Sequence, residues 1–217
     1  MTDKRQAIIN AASRIFLKEG FSGASINEIA RRAGVSKRTL YKHFDSKTVL
    51  FGAIISHTSE KVRSTLQAAG AHDDPRVTLT DFARSYLDLV LSPLGLDLSR
   101  TMIAESKRFP QLGRTFYATG TEPTNEALCR FLARQHAAGT LSVPEPEILA
   151  DQFFGLCLGS LRRRAYFNPS VARDKAMIER WIDSAVGLFL RGCGYRSSVV
   201  ECEPASLRAA INPRHRA

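Results

Sequence analysis

The stretch SINEIARRAGVSKRTLYKHFDSK, residues 25–47, decides how the first part of this sequence folds. Apolar residues recur at helical spacing on both sides of a break at Gly34. Gly34 supplies the positive φ that a tight turn needs, and Ser36 is a favourable cap for the helix that follows. The pattern predicts a helix, a turn, and a second helix over residues 37–44 that begins with basic and hydroxyl residues. This plan is that of a helix-turn-helix.

The residues in front of this stretch complete a three-helix unit. Apolar side chains return at helical spacing from Ile8 to Phe16, and Gly20 is expected to end that first helix. Ser25 and Glu28 have the spacing of a capping box, in which each side chain bonds the other's backbone amide. We therefore expect the second helix to begin directly after Ser25.

The charge of the chain is concentrated in this unit. The net charge is +10 over 217 residues, and the first fifty residues hold ten Lys and Arg against four Asp and Glu. A basic balance by itself is weak evidence for any partner. On a short helical module it favours binding to the phosphates of a nucleic acid.

The remainder of the sequence is helical as well, which makes the predicted fold class all-α. Pro and Gly fall between the periodic segments, and no alternating pattern persists long enough for a sheet. Helices are predicted at about 47–66, 76–91, 97–107, 111–118, 122–137, 145–166 and 170–191. We expect a DNA-binding domain at 1–48, a helical-bundle domain at 49–195, and a flexible tail at 196–217.

Residues 6–51 closely resemble the N-terminal domain of the TetR family of bacterial transcription regulators. The resemblance rests on Gly-Val-Ser, Thr-Leu-Tyr, Phe and Ser-Lys appearing together and in register between Gly34 and Lys47. It implies a DNA-binding unit joined by a fourth helix to an all-helical domain that binds an effector and dimerises. Arg38 departs from the small residue or proline that many members carry, which bears on base contacts and not on the fold.

The resemblance and the chemistry of the side chains together assign roles on the DNA. Lys37 and Arg38 are expected to face bases, since Arg and Lys pair well with guanine. Lys47 resembles the family's phosphate anchor, and Tyr41 and His43 are either backbone contacts or half-exposed packing residues. The complete predicted set of DNA-binding residues is Ser25, Ser36, Lys37, Arg38, Thr39, Tyr41, Lys42, His43 and Lys47.

The second domain is predicted to hold a small-molecule effector. Residues 97–117 look similar to the C-terminal domain of an AefR-like branch of the family, which implies a helical bundle with an internal cavity. Tyr86, Glu105, Phe116 and Tyr117 are candidates for its wall, and for each of them a place in the core remains equally open.

The last two long helices are predicted to form a homodimer interface. Residues 153–161 are apolar nearly all round, and a broad apolar stripe runs along the following helix. Such a pair is either the core of one chain or half of a four-helix interface between two chains. The predicted interface residues are Phe153, Gly155, Leu156, Gly159, Ile178, Trp181, Ile182, Ala185 and Phe189.

Several other classes of protein receive no support from the sequence. It has no apolar run of about 18 residues, no apolar leader, and no catalytic or phosphate-binding motif. The four cysteines lie far apart, and neither they nor the histidines show metal-ligand spacing. We expect a cytoplasmic DNA-binding regulator without cofactor, metal or membrane span, most simply a repressor that leaves a palindromic operator when its ligand binds. An activator, a regulator without ligand and a protein adaptor remain open alternatives.

Overall fold

The computed structural model describes residues 3–69 and 74–196, and within them the chain is helical without a β-strand. The α-helices are α1 Lys4–Gly23, α2 Ile26–Arg32, α3 Lys37–His43, α4 Lys47–Ala68, α5 Pro75–Val90, α6 Pro93–Glu105, α7 Pro110–Phe116, α8 Glu122–Ala137, α9 Pro146–Leu158, α10 Leu161–Phe167 and α11 Lys175–Gly192. A π-helical turn, Tyr117–Thr121, joins α7 to α8, and a 3-10 turn, Pro169–Arg173, precedes α11. The predicted all-α fold is confirmed. Of the predicted tail, residues 197–217 lie outside the described residues.

Two predicted helix ends differ from the structure for local reasons. Gly20 has a φ of 69° but only kinks α1, which continues to Gly23. The helix predicted from residue 97 begins at Pro93, because the Ser92 hydroxyl accepts a hydrogen bond from the Gly95 amide at 2.9 Å and caps it.

The helix predicted over 145–166 is two helices, α9 and α10. The break is at Gly159, whose φ of 41° lies in the left-handed region. A Cβ atom on Gly159 would lie 2.4 Å from Cζ2 of Trp181. The space beside Gly159 is therefore filled by an indole ring of the same chain.

The first of two hydrophobic clusters lies at the N-terminal end of the molecule. It buries Ile8, Phe16, Ile29 and Leu40 from α1 to α3. It also takes in Leu98, Met102 and Leu112 from α6 and α7. The N-terminal helices are thus packed directly on the rest of the chain.

The second cluster is built from α5, α8, α9 and α11 around the C-terminal half of α4. Phe82, Phe131, Phe153 and Ile182 are among its fully buried side chains. Helix α4 belongs to both clusters, through Leu50, Phe51, Ile54 and Ile55 at one end and Val62 and Leu66 at the other. A helix of 22 residues is about 33 Å long, so α4 spans both parts of the molecule.

Candidate nucleic-acid interface and ligand cavity

The turn between α2 and α3 has the geometry that the sequence predicts. Gly34 has a φ of 66°. The Ser36 hydroxyl accepts a hydrogen bond from the Thr39 amide at 3.1 Å and lies 2.9 Å from the Thr39 hydroxyl. These bonds fix the start of α3, the part of a recognition helix that reaches deepest into a major groove.

The predicted capping box at the start of α2 is wrong. Ser25 occupies the cap position, but its side chain makes no capping hydrogen bond. The Glu28 carboxylate instead accepts hydrogen bonds from Arg31 at 2.7 and 2.8 Å and from Arg32 at 2.7 Å. Two guanidinium groups offer stronger, charge-assisted bonds than one amide. The bonds from Arg31 and then Arg32 lower the pKa of Glu28 to about 2.

The outer face of α3 is exposed and positively charged. Lys37, Arg38, Lys42 and His43 are exposed, and Tyr41 is 42% exposed. Thr39 is half-buried, Ser25 and Ser36 are exposed, and Leu40 and Phe44 are buried. Among the described residues, Lys37, Arg38 and Lys42 have no ion-pair or hydrogen-bond partner. The structure thus leaves most of the predicted DNA-binding side chains of α3 exposed.

Lys47 stands apart from this surface. Its ammonium group donates a hydrogen bond to the Ser22 carbonyl oxygen at 3.2 Å and lies 4.9 Å from the centre of the Phe21 ring. Burial lowers the pKa of Lys47, and the charge of Glu105 opposes that effect. The side chain is therefore turned back onto the end of α1.

Glu105 lies beside Lys47 and not in the cavity wall where we expected it. Its carboxylate accepts a hydrogen bond from the Ser22 hydroxyl at 3.1 Å. Glu105 is the last residue of α6, and Ser99, which does line the cavity, lies six residues earlier. That spacing carries Glu105 about 9 Å along the helix, beyond the cavity to α1.

A cavity of about 420 Å³ lies between α4, α5, α6, the π-helical turn, α8 and the α9–α10 pair. Tyr86, Phe116 and Tyr117 line it, as the sequence analysis anticipated. Burial raises the pKa of Tyr86 to about 12, and the nearby charge of Arg162 opposes the rise. The volume lies in the range of ligand pockets, which begins at roughly 300 Å³.

The polar part of this cavity was missed by sequence reasoning. It includes Asn125, Asp151 and Arg162, and Asn125 donates a hydrogen bond to Asp151 at 3.1 Å. Asp151, Phe154 and Leu158 are spaced at i, i+3 and i+7, so they share one face of α9. That spacing is the one signal in the sequence from which this wall was predictable.

The predicted interface residues fall into two groups. Phe153, Ile182, Ala185 and Phe189 are buried in the chain's own second cluster and are unavailable to a partner. Physically they are core residues, because α9 and α11 pack on each other and on α5. The others are at least partly exposed: Gly155, Leu156, Gly159, Ile178 and Trp181. Leu188, which was not predicted, is 53% exposed on α11.

Reactive cysteines, metal sites and membrane-spanning helices find little support in the described part of the chain. Burial raises the pKa of Cys157 to about 12 and also raises the pKa values of Cys129 and Cys193. Across residues 3–69 and 74–196, no group of three or more His, Cys, Asp or Glu side chains is placed to hold a metal ion. Among the helices in the same residues, none has the length and apolar character needed to cross a membrane. Cys202 and His215 lie outside the described residues.

Comparison with known families matches both parts of the chain. Residues 8–54 match the model of the bacterial regulatory proteins of the tetR family. Residues 77–195 match the C-terminal domain of AefR-like transcriptional repressors.

Individual proteins agree with this result. The transcriptional regulator BetI of Serratia proteamaculans is 30% identical over 78% of this chain and 86% of its own length. The transcriptional activator FasR of Mycolicibacterium smegmatis is 36% identical, but the match spans only 41% of each protein. A TetR-family regulator from Mesorhizobium loti superposes with a TM-score of 0.76 at 32% identity, over 87% of this chain and 96% of that one. The flavonoid-responsive regulator FrrA gives a TM-score of 0.69 at 36% identity, over 88% of this chain and 96% of that one. This chain therefore belongs to the TetR family, whose members are DNA-binding transcriptional regulators and not enzymes.

Proposed function

We propose that this protein is a homodimeric, ligand-responsive repressor that acts in the cytoplasm and leaves a palindromic operator when a small molecule enters its cavity. Residues 1–48 form the DNA-binding domain, and residues 49–195 bind the effector and dimerise. The observation that carries the proposal is that α4 connects the N-terminal helices to the cavity. One helix is packed into the N-terminal cluster at its beginning and lines the cavity further along, through Ile55, Thr58, Ser59 and Val62.

The proposed interface with DNA is the exposed face of α3. Lys37 and Arg38 are in its first turn and would contact base edges, where guanine offers two acceptors to Arg or Lys. Thr39, Tyr41 and His43 would contact the sugar-phosphate backbone, and Lys42 would act as a longer-range charge. Ser25 and Ser36, at the starts of α2 and α3, have backbone amides suited to phosphate oxygens. Lys47 would reach a phosphate only by leaving the Ser22 carbonyl.

A homodimer is proposed because a palindromic site needs two reading heads related by a two-fold axis. The surface available for it is the exposed part of α9 and α11. It carries Gly155, Leu156, Ile178 and Leu188, while the buried core residues of both helices support it from behind.

The response to a ligand is proposed to pass through close packing around α4. A Cβ atom on Gly52 would lie 2.9 Å from Thr115, and one on Gly120 would lie 2.5 Å from Ile55. The π-helical turn that lines the cavity thus rests directly on α4, with no space to absorb a displacement. A ligand that moves this turn would therefore move α4, which is how differential binding shifts a two-state equilibrium.

Repression is the proposed direction of control. The C-terminal match to AefR-like repressors covers the larger part of the chain, while the match to the activator FasR spans 41% of it. FrrA is named as flavonoid-responsive, which supports a flat organic ligand for this chain too.

The test begins with selection of DNA fragments by the purified protein, followed by fluorescence anisotropy on the selected site. We expect an inverted repeat whose half-sites lie about one helical turn, or a multiple of it, apart. Light scattering should show a dimer both free and on DNA. A selected site without two-fold symmetry, or a monomer that binds it, would refute the proposed assembly. A promoter reporter in a deletion strain then gives the sign of control, with higher expression expected.

A further inference from the structure

The wall of the cavity includes four aromatic side chains among aliphatic and polar ones. The rings of Tyr86 and Phe154 meet edge to face, with centroids 4.8 Å apart. Phe116 and Tyr117 add two further rings from α7 and the π-helical turn. Rings arranged in this way pack best against another flat ring system, through offset or edge-to-face contact.

Two charged side chains also contribute to this wall. Asp151 lies near the beginning of α9 and Arg162 in the first turn of α10, with Phe154 and Leu158 between them in the cavity lining. The two side chains are contributed by different helices, on either side of the break at Gly159.

Arg162 has no ion-pair or hydrogen-bond partner among the described residues, although it is only partly exposed. Several other arginines of this domain are paired: Arg84 with Glu179, Arg100 with Asp97, and Arg130 with Glu126. A partly desolvated guanidinium without an acceptor is unfavourable, and an anionic oxygen satisfies it best.

Asp151 offers the opposite chemistry in the same wall. Its carboxylate accepts a hydrogen bond from Asn125 at 3.1 Å, and an ionised carboxylate has further acceptor positions. A hydroxyl or amine donor can take one of them, whereas a second anion near Asp151 would be repelled.

We propose that the cavity binds an aromatic acid, with its acidic oxygen on Arg162, its rings against Tyr86 and Phe154, and a hydrogen-bond donor on Asp151. This inference rests on the proposed function, since it names the class of ligand that the regulator senses.

The experiment uses the full-length protein and isothermal titration with three probes of matched shape. They are 4′-hydroxybiphenyl-4-carboxylic acid, its primary carboxamide, and biphenyl-4-carboxylic acid without the hydroxyl group. The wild type should bind the hydroxy acid at least tenfold more tightly than the carboxamide. Arg162→Gln should remove that preference and leave binding of the carboxamide within about twofold of the wild type.

Matched variants keep the test specific. Arg163→Gln removes a neighbouring exposed arginine that does not line the cavity, and it should bind all three probes as the wild type does. Asp151→Asn should weaken binding of the hydroxy acid and leave binding of biphenyl-4-carboxylic acid nearly unchanged. Thermal melts of each variant show whether it is folded, and Arg162→Met, which also removes the charge, replaces Arg162→Gln if the latter is not.

Three results would overturn the inference. They are equal binding of the acid and the carboxamide by the wild type, an equal loss of both in Arg162→Gln, and no binding of the acid at millimolar concentration. Operator binding, measured on the same preparations, separates this failure from that of the proposed function. A dimer that binds its operator but ignores the acid refutes only the ligand class, and a protein without operator binding refutes the function itself.

Discussion

Replacing Lys47 by Ala should reduce both the stability of the protein and its affinity for DNA. The ammonium group donates a hydrogen bond to the Ser22 carbonyl and lies over the Phe21 ring. An exposed hydrogen bond such as this one contributes about 0.5–1.5 kcal/mol, and a cation–π contact at a partly exposed site contributes about 0.5–1 kcal/mol. Removal of the charge also relieves the desolvation that lowers the pKa of Lys47, which offsets part of this loss. We therefore expect a net loss of about 1 kcal/mol in the free energy of unfolding.

The effect on DNA follows from the proposed phosphate contact. Lys47→Ala should weaken binding to the operator and to random DNA by similar factors, and reduce the salt slope by about one. Urea unfolding and anisotropy titrations over a range of salt concentrations measure the two effects separately. Lys42→Ala is the matched control, because Lys42 is exposed on α3 and has no partner among the described residues.

The two variants should therefore differ in stability. Lys42→Ala should retain the wild-type free energy of unfolding, and Lys47→Ala should not. Equal stability of Lys47→Ala and the wild type would show that the contacts with α1 contribute nothing. An unchanged salt slope in a folded Lys47→Ala protein would remove Lys47 from the DNA interface.

Four further predictions concern other parts of the molecule. Arg38→Ala should reduce the free energy of binding by about 1–3 kcal/mol on the selected operator and by much less on random DNA, as measured by anisotropy. Equal losses on both would make Arg38 a backbone contact. Gly159→Ala should lower the melting temperature, because its Cβ would lie 2.4 Å from the Trp181 ring, while Gly192→Ala, which meets nothing within 4 Å, should not. Equal melting temperatures would contradict this reasoning. The pairing of Glu28 with Arg31 and Arg32 should be complete above pH 4.5 and be lost as the pH falls toward about 2. The carboxyl chemical shift of Glu28 in NMR should therefore report titration near pH 2, and titration near 4.5 would disprove the pairing. Ser22→Ala should keep operator affinity but reduce the factor by which a bound ligand weakens it, and an unaltered factor would exclude Ser22 from the coupling.

The DNA-binding head was predictable because its determinants are local. Gly34 and Ser36 fix the turn and the start of α3 within a few residues of one another, and both behave as the sequence indicates. The same locality explains the error at Ser25. A capping box and an ion pair compete for the carboxylate of Glu28, and spacing alone does not show that Arg31 and Arg32 form the stronger hydrogen bonds with it.

The break at Gly159 and the places of Glu105 and Arg162 were not predictable in this way. A glycine in an apolar run suits a close helix contact as well as a positive φ, and the choice depends on Trp181, which lies 22 residues later. Glu105 and Arg162 are both charged residues on amphipathic helices. Only the packing of α6 against α1, and of α10 against α6, decides that Arg162 lines the cavity and Glu105 does not.

The position of Glu105 gives the proposed regulation a second physical route besides α4. Helix α6 carries Gly95, Leu98 and Ser99 in the cavity wall and ends at Glu105, which holds the Ser22 hydroxyl on α1. A ligand that displaces the cavity end of α6 must therefore either break this hydrogen bond or move the end of α1, on which Lys47 rests. Allosteric coupling free energies are typically about 1–3 kcal/mol, and an exposed hydrogen bond such as this one contributes about 0.5–1.5 kcal/mol. The loss of this bond thus matches the lower part of the coupling range, and movement of the end of α1 would have to supply any larger coupling.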